Sequence, residues 1–408
     1  MNEGERLTIG IIGGGAAGLF AALHAVRDGA QVVLWEANAV LGRKLAVTGN
    51  GRGNLSHRSV CAERYTCDDS AALHRLLQRF DHEWLRRELF QQGILTWCTD
   101  DGWCYPLSLS AAAVAAILSV AVQKKNITIQ SQCAIAHLQQ EDDGFRIIDQ
   151  GQRSRQVHRV ILATGSKAHP QLGGDDTALF WLSRMGVPIL PMRPALAPLI
   201  ADARPLHKLQ GVRLDVAAEL FDGDRSLASS LGNIIFTQYG LNGPAAMDLS
   251  HRLPIIPSQK LKLKLNFLPG RGEEFRVLYE QKRKEGWPVH ALLEAAVPKK
   301  LAALLMDQLK LHPDADVASL SEEQGSHLLA LMTNFPVTIN GVKDFTFAQL
   351  AAGGVALSEV DPNTMQSRRI NGLYLAGEIL DVVGPCGGFN LHFAFASGAL
   401  AGISAGQV

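Results

Sequence analysis

The chain has no excess of charge of either sign. Its Lys and Arg residues number 39 and its Asp and Glu residues also number 39. This balance excludes a globally basic surface of the kind that coats nucleic acid, although charges can still cluster locally. With 47% hydrophobic residues among 408 positions, the composition also excludes a disordered or collagen-like chain. The length predicts two or three globular domains.

Cysteine is scarce, and no two cysteines form a C-x-x-C pair. The six are Cys61, Cys67, Cys98, Cys104, Cys133 and Cys386. Their wide spacing argues against a disulfide framework and against a zinc site, so we expect a reducing cytoplasm and no bound metal. We interpret the first two and the next two cysteines as small hydrophobic residues rather than as dithiols.

Long hydrophobic runs are also scarce, and the one that suggests a membrane span is interrupted. Residues 7–26 carry no charged side chain apart from one histidine, and this length is sufficient for a span by hydropathy. Five glycines lie inside the run, and Glu3, Glu5 and Arg6 before it do not form the positive leader of a signal peptide. We therefore expect a strand, a turn and a buried helix, and no membrane association.

The same segment has the pattern of a β-α-β unit. Residues 7–12 are a β-branched apolar run that predicts a buried strand. A glycine-rich turn follows, a helix is predicted from residue 16 to about residue 27, and residues 31–34 predict the second strand. This order of strand, glycine-rich turn, helix and strand is typical of a dinucleotide-binding fold.

The positions of the glycines and of one acid support this interpretation. Gly13 allows the tight turn, Gly15 lets backbone N–H groups approach a pyrophosphate, and Gly18 lets the helix pack closely on the strand. Glu36 ends the second strand and can accept hydrogen bonds from ribose hydroxyls. Because a carboxylate at this place disfavours a 2′-phosphate, the sequence predicts an adenine dinucleotide that lacks one.

Two distant segments distinguish FAD from NAD. Residues 160–165 predict an apolar strand that ends in Ala-Thr-Gly, and residues 372–378 predict another that ends in Gly-Glu. Together with the amino-terminal unit, they resemble the three fingerprints of the glutathione-reductase-like flavoproteins with two dinucleotide-binding domains. In that superfamily the last acid binds the ribityl chain of FAD, and the resemblance implies this role for Glu378.

A second glycine-rich segment, residues 384–390, opens a helix that contains many small residues. The free N–H groups at such a helix start point at whatever lies before it. In an FAD protein of this superfamily, that is the pyrimidine edge of the flavin. The segment is therefore expected to stabilise the negative charge of reduced flavin.

Further motifs identify a particular family. They lie at residues 42–44, 48–54, 236–244, 352–355, 364–365 and 387–390. With them the chain resembles, over nearly its whole length, the BaiN-type bacterial NAD(P)/FAD-dependent oxidoreductases. These aminoacetone-oxidase-like flavoproteins include members linked to reduction of conjugated C=C bonds in steroid-like acids. Other members are linked to reduction of uridine to dihydrouridine in large-subunit ribosomal RNA.

The chain departs from this family at two places. Gly53 stands where the family commonly has Cys, so a role for a thiol there does not carry over. Cys386 stands where a bulky residue such as Trp is often found, which indicates a differently shaped pocket beside the flavin. Residues 37–60 contain no cysteine, so the redox pair of the superfamily's disulfide reductases is missing.

The motifs and the resemblance together predict non-covalently bound FAD. The predicted cofactor-binding residues are Gly13, Gly15, Ala16, Ala17, Gly18, Glu36, Ala37, Arg43, Lys44, Thr48, Gly49, Asn54, Ala134, Ala163, Thr164, Gly165, Gly377, Glu378, Asp381, Gly387, Gly388, Phe389 and Asn390. Arg43 and Lys44 are expected to neutralise the FAD phosphates. Arg52 either does the same or binds an anionic substrate.

Reduction of a C=C bond needs an acid that protonates one carbon while hydride reaches the other. The predicted catalytic residues are Asn390, Cys386, Arg52 and His392. Asn54, His57 and Asp381 are also expected near the flavin. For the two histidines a structural role is at least as well supported, and Cys386 either donates a proton or fills space.

The predicted fold is α/β, with a Rossmann-like, glutathione-reductase-like FAD-binding domain in two parts, residues 1–191 and 336–408. Residues 192–335 are expected to form an inserted substrate or lid domain. Within it, strand-like residues 196–200, 214–220, 233–237 and 261–267 suggest a small β-barrel, and residues 272–330 suggest helices. The family resemblance implies the same insertion.

These features predict an FAD-dependent oxidoreductase, most simply an NAD(P)H-fed reductase of an activated C=C bond. No second strand-GxGxxG-helix unit is present to hold a nicotinamide, so NAD(P)H is expected to bind transiently in ping-pong fashion. The substrate is either uridine in ribosomal RNA or a small conjugated carbonyl compound, and the oligomeric state is left open. Alternatives are an oxygen-dependent amine oxidase, or a flavin-binding scaffold or redox sensor without enzymatic activity.

Overall fold

The computed structural model describes residues 6–26, 30–202, 204–254, 257 and 259–407. It divides the chain into two compact units. The first comprises Met1–Arg193 and Gln349–Val408, and the second comprises Pro194–Ala348. The helix end predicted near residue 27 lies outside the described residues.

Strands and helices alternate at the start of the chain, and strands dominate its middle. The strands are β1 (Thr8–Ile12), β2 (Gln31–Trp35), β3 (Ser56–His57), β4 (Thr96–Cys98), β5 (Trp103–Pro106), β6 (Ile127–Gln130), β7 (Ile135–Glu141), β8 (Gly144–Asp149), β9 (Ser154–Val157), β10 (Arg159–Leu162), β11 (Leu190–Ala195), β12 (Leu199–Ala201), β13 (Arg213–Asp222), β14 (Arg225–Thr237), β15 (Gly240–Asn242), β16 (Leu261–Asn266), β17 (Phe335–Val342), β18 (Leu350–Gly354) and β19 (Leu373–Leu375).

The helices are numbered in the same way. They are α1 (Ala16–Ala25), α2 (Ser70–Arg79), α3 (His82–Gln91), α4 (Ala111–Gln123), α5 (Thr177–Arg184), α6 (Pro244–Met247), α7 (Gly272–Glu285), α8 (Val289–Glu294), α9 (Lys299–Gln308), α10 (Glu322–Thr333) and α11 (Phe389–Ala405). In the described part of the chain, no helix is both long and apolar enough to cross a bilayer.

A five-stranded parallel sheet with strand order β19-β10-β1-β2-β6 forms the centre of the first unit. Its strands are apolar along their length: Ile9, Ile11 and Val33, for example, have no exposed surface. Continuous apolar strands of this kind are buried on both faces, as in other parallel sheets. This unit also contains two small antiparallel sheets, β3-β5-β4 and β7-β8-β9.

Helices α1 and α11 of this unit pack with their backbones in contact. A methyl group at Gly398 would overlap the carbonyl oxygen of Ala17, and one at Gly402 would overlap that of Ala21. The small residues that the sequence places in α11 therefore have a packing function, because only hydrogen fits at these positions.

A closed six-stranded barrel, in the order β12-β15-β14-β13-β16-β17, forms the second unit together with helices. The barrel strands alternate in burial, and Val216, Leu220 and Leu263 point inward with no exposed surface. Apolar side chains of α7–α10 join them in one hydrophobic cluster. The predicted fold class, an α/β Rossmann-like domain with a small barrel and a helical piece, is confirmed.

Details of the barrel differ from the sequence expectation. The structure places β17, Phe335–Val342, in the barrel, whereas the predicted boundary assigns residues 336–408 to the FAD-binding domain. Phe335, Val337 and Ile339 are buried in alternation, but their partner strands are distant in sequence, so the pairing could not be inferred. The predicted strand at residues 196–200 overlaps β12 only at its end.

The contact between α1 and α11 predicts an unusual response to a helix-favouring substitution. Gly398→Ala should lower the free energy of unfolding by about 1–3 kcal/mol, because the overlap with the Ala17 backbone outweighs the helix propensity of alanine. Gly272→Ala in α7 is the control, since its added methyl group meets only the side-chain Cγ2 of Thr333 at 3.3 Å. Chemical denaturation of both variants measures the difference. Equal stability of Gly398→Ala and the parent would contradict this packing.

Candidate active site

The turn between β1 and α1 has the geometry that nucleotide binding requires. Gly13 has φ +104°, and a methyl group on it would overlap the carbonyl oxygen of Ala163 at the end of β10. Gly15 is the N-cap residue of α1 and makes no side-chain cap bond. A methyl group on Gly15 would meet no atom within 4 Å. The start of α1 is therefore open at the position where a pyrophosphate would approach.

Glu36, at the end of β2, is buried and holds this turn. Its Oε2 accepts a hydrogen bond of 2.8 Å from the Gly14 N–H, and its Oε1 accepts from the backbone N–H and the side-chain amide of Asn38 at 2.8 and 2.6 Å. Arg43 donates to the Asn38 side chain and to the Gln171 carbonyl oxygen. Predicted residues 37 and 134 lie beside this segment, since Cys133 N–H donates to the Glu36 carbonyl at 2.9 Å.

Glu378 receives donors from three separate segments. Lys44 Nζ forms an ion pair with it at 2.5 Å, the Ser166 hydroxyl donates at 2.5 Å, and the Ala351 N–H donates at 3.0 Å. Lys44, which the sequence assigns to FAD phosphates, thus neutralises this carboxylate. The sequence did not indicate Ser166, because its hydrogen bond to Glu378 forms only when the ends of β10 and β19 lie side by side.

The loop formed by residues 48–54 turns through three glycines with positive φ, Gly49, Gly51 and Gly53. It ends at Asn54, which is buried and whose side-chain Oδ1 has no hydrogen-bond partner. An unpaired buried acceptor costs about 1–3 kcal/mol. Its presence beside a glycine-rich turn points to a donor on a bound ligand, and this fits FAD.

Exposed Arg52 of the same loop lies over the Tyr105 ring, with its guanidinium carbon 5.3 Å from the ring centroid. Among the predicted catalytic residues, Arg52 is exposed, Cys386 and Asn390 are half-exposed, and His392 is buried. Thr48 donates to the Leu45 carbonyl at 2.8 Å, so its hydroxyl stabilises the preceding turn.

The glycine-rich loop before α11 is held by one side chain. Asn390 Oδ1 accepts from the Gly384 N–H at 2.7 Å, and its Nδ2 donates to the carbonyls of Gly384 and Pro385 at 2.8 and 3.3 Å. Gly387 and Gly388 have φ of +121° and +92°. The amide of Asn390 is therefore used to hold the loop in shape, which makes it a positioning residue.

This loop also packs on the β3-β5-β4 sheet. A methyl group on Gly388 would lie 2.5 Å from the Ser56 carbonyl oxygen, and one on Gly387 would lie 3.6 Å from the Trp103 ring. Asp381 accepts a hydrogen bond of 2.7 Å from the Gly353 N–H. This bond connects the segment that follows Glu378 to the predicted motif at residues 352–355. Gly377, Glu378, Asp381 and the loop thus form one continuous segment of the site.

The two predicted histidines have structural environments. His392 has no exposed surface; its Nε2 donates to the Phe80 carbonyl at 2.7 Å and its Nδ1 accepts from Ser56 at 2.9 Å. Burial lowers the pKa of His392 to about 4. His57 stacks on Phe389 at 4.9 Å between centroids, and burial, followed by Arg64, lowers its pKa. The geometry favours the structural role that the sequence left open for both.

One expectation about cysteine is wrong. Cys98 and Cys104 form a disulfide, whereas we interpreted them as separate hydrophobic residues. They are directly opposite each other in the antiparallel pair of β4 and β5, and this register was not visible in the sequence. Cys61 and Cys67 are unbridged, and burial raises the pKa of Cys67 to about 11.

Comparison with known proteins agrees with this geometry. Residues 7–404 match the family described as HI0933-like protein Rossmann domain. The chain is 33% identical to 3-dehydro-bile acid delta(4,6)-reductase of Clostridium scindens over 98% of its own length and 99% of that protein. It is 27% identical to ribosomal RNA dihydrouridine synthase of Escherichia coli, with 96% of each chain covered.

Among solved structures, the fold is similar to 3-ketosteroid-delta4-(5alpha)-dehydrogenase from Rhodococcus jostii RHA1, solved with 4-androstene-3,17-dione. The TM-score is 0.52 at 14% identity, and 100% of this chain and 99% of that chain are covered. Quinol fumarate reductase of E. coli has a TM-score of 0.50 at 15% identity and covers 98% of this chain and 70% of its own. At such identities the likeness concerns the fold alone.

The open glycine turn, the buried acid at the end of β2 and the unpaired Asn54 side chain all fit a bound FAD. The match over residues 7–404 and the full-length relatives agree with them. The chain therefore belongs to the HI0933-like Rossmann-domain family and is an FAD-dependent oxidoreductase.

Proposed function

We propose that this flavoprotein is an NAD(P)H-fed reductase of an activated C=C bond in a small conjugated carbonyl compound. The observation that carries the proposal is the 33% identity, over 98% of the chain, to a relative named as a bile acid delta(4,6)-reductase. The site described above supplies the parts that such a reductase needs. They are a dinucleotide turn, a donor-rich glycine loop, and accessible polar side chains beside it.

Bound FAD supplies hydride transfer between the nicotinamide and the substrate. The start of α1 and Glu36 would hold the adenosine and pyrophosphate, and Asn54 would accept a hydrogen bond from the cofactor. Lys44 forms an ion pair with Glu378 and so orients that carboxylate. NAD(P)H would bind transiently and leave before the substrate binds.

The loop before α11 gives the site its electrostatic character. Asn390 holds residues 384–385 so that the N–H groups of the following glycines keep one direction. Donors fixed before the reaction stabilise developing negative charge without reorganisation. Arg52 and Cys386 are the accessible side chains that we propose near the substrate, one to bind an anion and one to deliver a proton.

Uridine in ribosomal RNA is the second candidate substrate, favoured by the full-length relatives that are named as dihydrouridine synthases. RNA binding would require unpaired basic side chains. Basic residues are clustered at positions 282–284, 299–300 and 368–369. Three of these seven residues form ion pairs: Lys282 with Glu285 at 2.7 Å, Arg283 with Glu322 at 3.2 Å, and Arg369 with Glu359 at 2.5 Å. The higher identity to the bile acid reductase, 33% against 27%, favours the small substrate.

Anaerobic stopped-flow absorbance tests the reaction class and the substrate together. NADPH or NADH should bleach the oxidised flavin, and a conjugated enone such as a 4-ene-3-keto steroid should restore it. Unmodified ribosomal RNA should restore it slowly, with a weak dependence on salt, because few phosphate contacts form. If RNA restores the oxidised flavin with a steep dependence on salt, uridine in RNA is the substrate and the small-molecule proposal is wrong. Peroxide formation from an amine, without bleaching by nicotinamide, would overturn it.

Gly15→Ala should separate FAD binding from folding. The added methyl group meets no protein atom within 4 Å, and Gly15 has φ −76°, which alanine adopts freely. The methyl group would instead occupy the space of the pyrophosphate. We expect an intact fold and an FAD affinity lowered at least tenfold, equivalent to about 1.4 kcal/mol, measured by flavin fluorescence on titrating the apoprotein. Gly272→Ala is the control, and undiminished affinity would remove Gly15 from the site.

Asn390→Ala should slow flavin reduction while FAD stays bound. Without the three hydrogen bonds to residues 384 and 385, the loop loses its fixed geometry. Small displacements in an active site cost up to about 100-fold in rate, so we expect a 10- to 100-fold slower bleaching by NADPH and a shifted flavin potential. Asn363→Ala, at an exposed loop asparagine, is the control. An unchanged rate and potential would exclude a positioning role.

A further inference from the structure

Two cysteines and a histidine meet behind the glycine-rich loop of the active site. Cys98 ends β4, Cys104 lies in β5, and His82 is the first residue of α3. The Nε2 atom of His82 lies 3.6 Å from Cys98 Sγ and 3.7 Å from Cys104 Sγ. His82 and Cys104 are buried, and Cys98 is half-exposed. The three potential ligand atoms lie within 4.8 Å of one another.

A chain of hydrogen bonds sets the orientation of His82. The Phe80 carbonyl can only accept, so His392 carries its proton on Nε2, and its Nδ1 accepts from the Ser56 hydroxyl. Ser56 Oγ has then used its proton and accepts from His82 Nδ1, which lies 3.3 Å away. In neutral His82 the unprotonated nitrogen is therefore Nε2, which lies 3.6 and 3.7 Å from the two sulfurs, while Nδ1 lies 3.8 Å from Cys104 Sγ.

This arrangement is the one that metal-binding histidines have. Such a histidine donates its second ring N–H to an oxygen atom, which fixes the tautomer and the ring orientation. Ser56 provides that oxygen here, and His392 in turn fixes the hydroxyl of Ser56. A disulfide needs neither a histidine nitrogen directed at its sulfurs nor a relay that selects its tautomer.

We propose that, when the disulfide is reduced, Cys98, Cys104 and His82 bind one zinc ion. Zinc takes thiolate and imidazole ligands in a tetrahedron, with Zn–S about 2.3 Å and Zn–N about 2.0 Å. That geometry separates nitrogen from sulfur by about 3.5 Å and the two sulfurs by about 3.8 Å. The nitrogen–sulfur distances of 3.6 and 3.7 Å already match. The two sulfurs must move apart, as happens when their bond is cleaved, and the His82 ring must turn so that Nε2 alone points at the ion.

The chemistry balances with a thiol reductant. Two RSH molecules reduce the Cys98–Cys104 bond, giving two cysteine thiols and RSSR. Zinc then displaces one proton from each thiol, and the two thiolates neutralise its charge, so the partly buried site holds no net charge. A water molecule completes the tetrahedron and leaves the site neutral, whereas Glu83, whose Oε1 lies 3.8 Å from His82 Nε2, would give it one negative charge. In the oxidised state the sulfurs offer no thiolate, and zinc does not bind.

The cluster shares its supports with the active site. The Ser56 backbone contacts Gly388, and Trp103, the neighbour of Cys104, lies beside Gly387. The same serine that selects the His82 tautomer thus lies against the loop that Asn390 holds. The zinc site is separate from the flavin site, but both depend on β3 and β5.

Cobalt binding to the reduced holoprotein tests the site. The protein is reduced anaerobically with a phosphine, freed of reductant and titrated with Co²⁺, whose tetrahedral thiolate complexes absorb at longer wavelengths than oxidised flavin. We expect bands that saturate at one cobalt per chain and disappear when Zn²⁺ is added. The oxidised protein should give none. Native mass spectrometry of the zinc-loaded protein checks the stoichiometry independently.

Variants identify the ligands. Cys98→Ser and His82→Gln should abolish the cobalt bands, and Ser56→Ala should weaken cobalt affinity about 10- to 100-fold, as loss of an outer-shell partner does. Cys61→Ser and Cys67→Ser, which change unbridged cysteines, should bind as the parent does. The flavin spectrum and circular dichroism verify folding. Reduced protein without bands, or bands that persist in Cys98→Ser, would overturn the proposal, whereas zinc already bound to a dithiol in the isolated protein would support it.

Discussion

The close contact between α1 and α11 is the constraint on which the active site depends. Gly398 and Gly402 bring the two helix backbones together, and both helices follow strands of one parallel sheet, β1 and β19. Their amino-terminal ends, and the glycine-rich turns that precede them, therefore lie at the carboxyl edge of that sheet, where open α/β sheets bind ligands. Larger residues in α11 would separate the helices and with them the two sets of backbone N–H donors. A tight helix pair thus fixes the distance between the two helix starts that we propose to meet the pyrophosphate and the flavin of FAD.

Three carboxylates, of which Glu36 is buried and Glu378 and Asp381 are half-buried, connect the loops of this edge to one another. Glu36 binds the N–H of Gly14, Glu378 binds that of Ala351, and Asp381 binds that of Gly353. Each carboxylate thereby ties a strand end to a neighbouring loop while leaving lone pairs for a ligand, because an ionised carboxyl group can accept several hydrogen bonds. The family resemblance implies that such acids bind the cofactor. Here they also define the loop conformations that a cofactor would meet, so their structural and binding roles are not alternatives.

Sequence reasoning succeeded where the information is local. The β1-α1-β2 unit is contained in a short segment whose spacing has a physical meaning, and the structure confirms it. Glu36 and the glycine loop before α11 have equally local signals, and their contacts with FAD stay predictions. Sequence reasoning failed where meaning depends on tertiary pairing: the bond between Cys98 and Cys104 requires the register of β4 on β5, and β17 joins the barrel through partners far away in the chain. His82 has no motif at all. Asn390 is an intermediate case. Its place in the glycine-rich loop was predictable from the sequence, but the hydrogen bonds between its side-chain amide and the backbone of that loop were not.

The burial and hydrogen bonds of His392, two residues after Asn390, support a structural role for this histidine. Burial keeps its pKa at about 4, so it is neutral at physiological pH and has one N–H to donate. The Phe80 carbonyl takes that proton, which leaves Nδ1 to accept from Ser56 and so directs the serine hydroxyl. A charged imidazole would carry protons on both nitrogens and would turn the Ser56 hydroxyl away. The neutral state of His392 therefore determines, through Ser56, that neutral His82 carries its proton on Nδ1 and leaves Nε2 unprotonated.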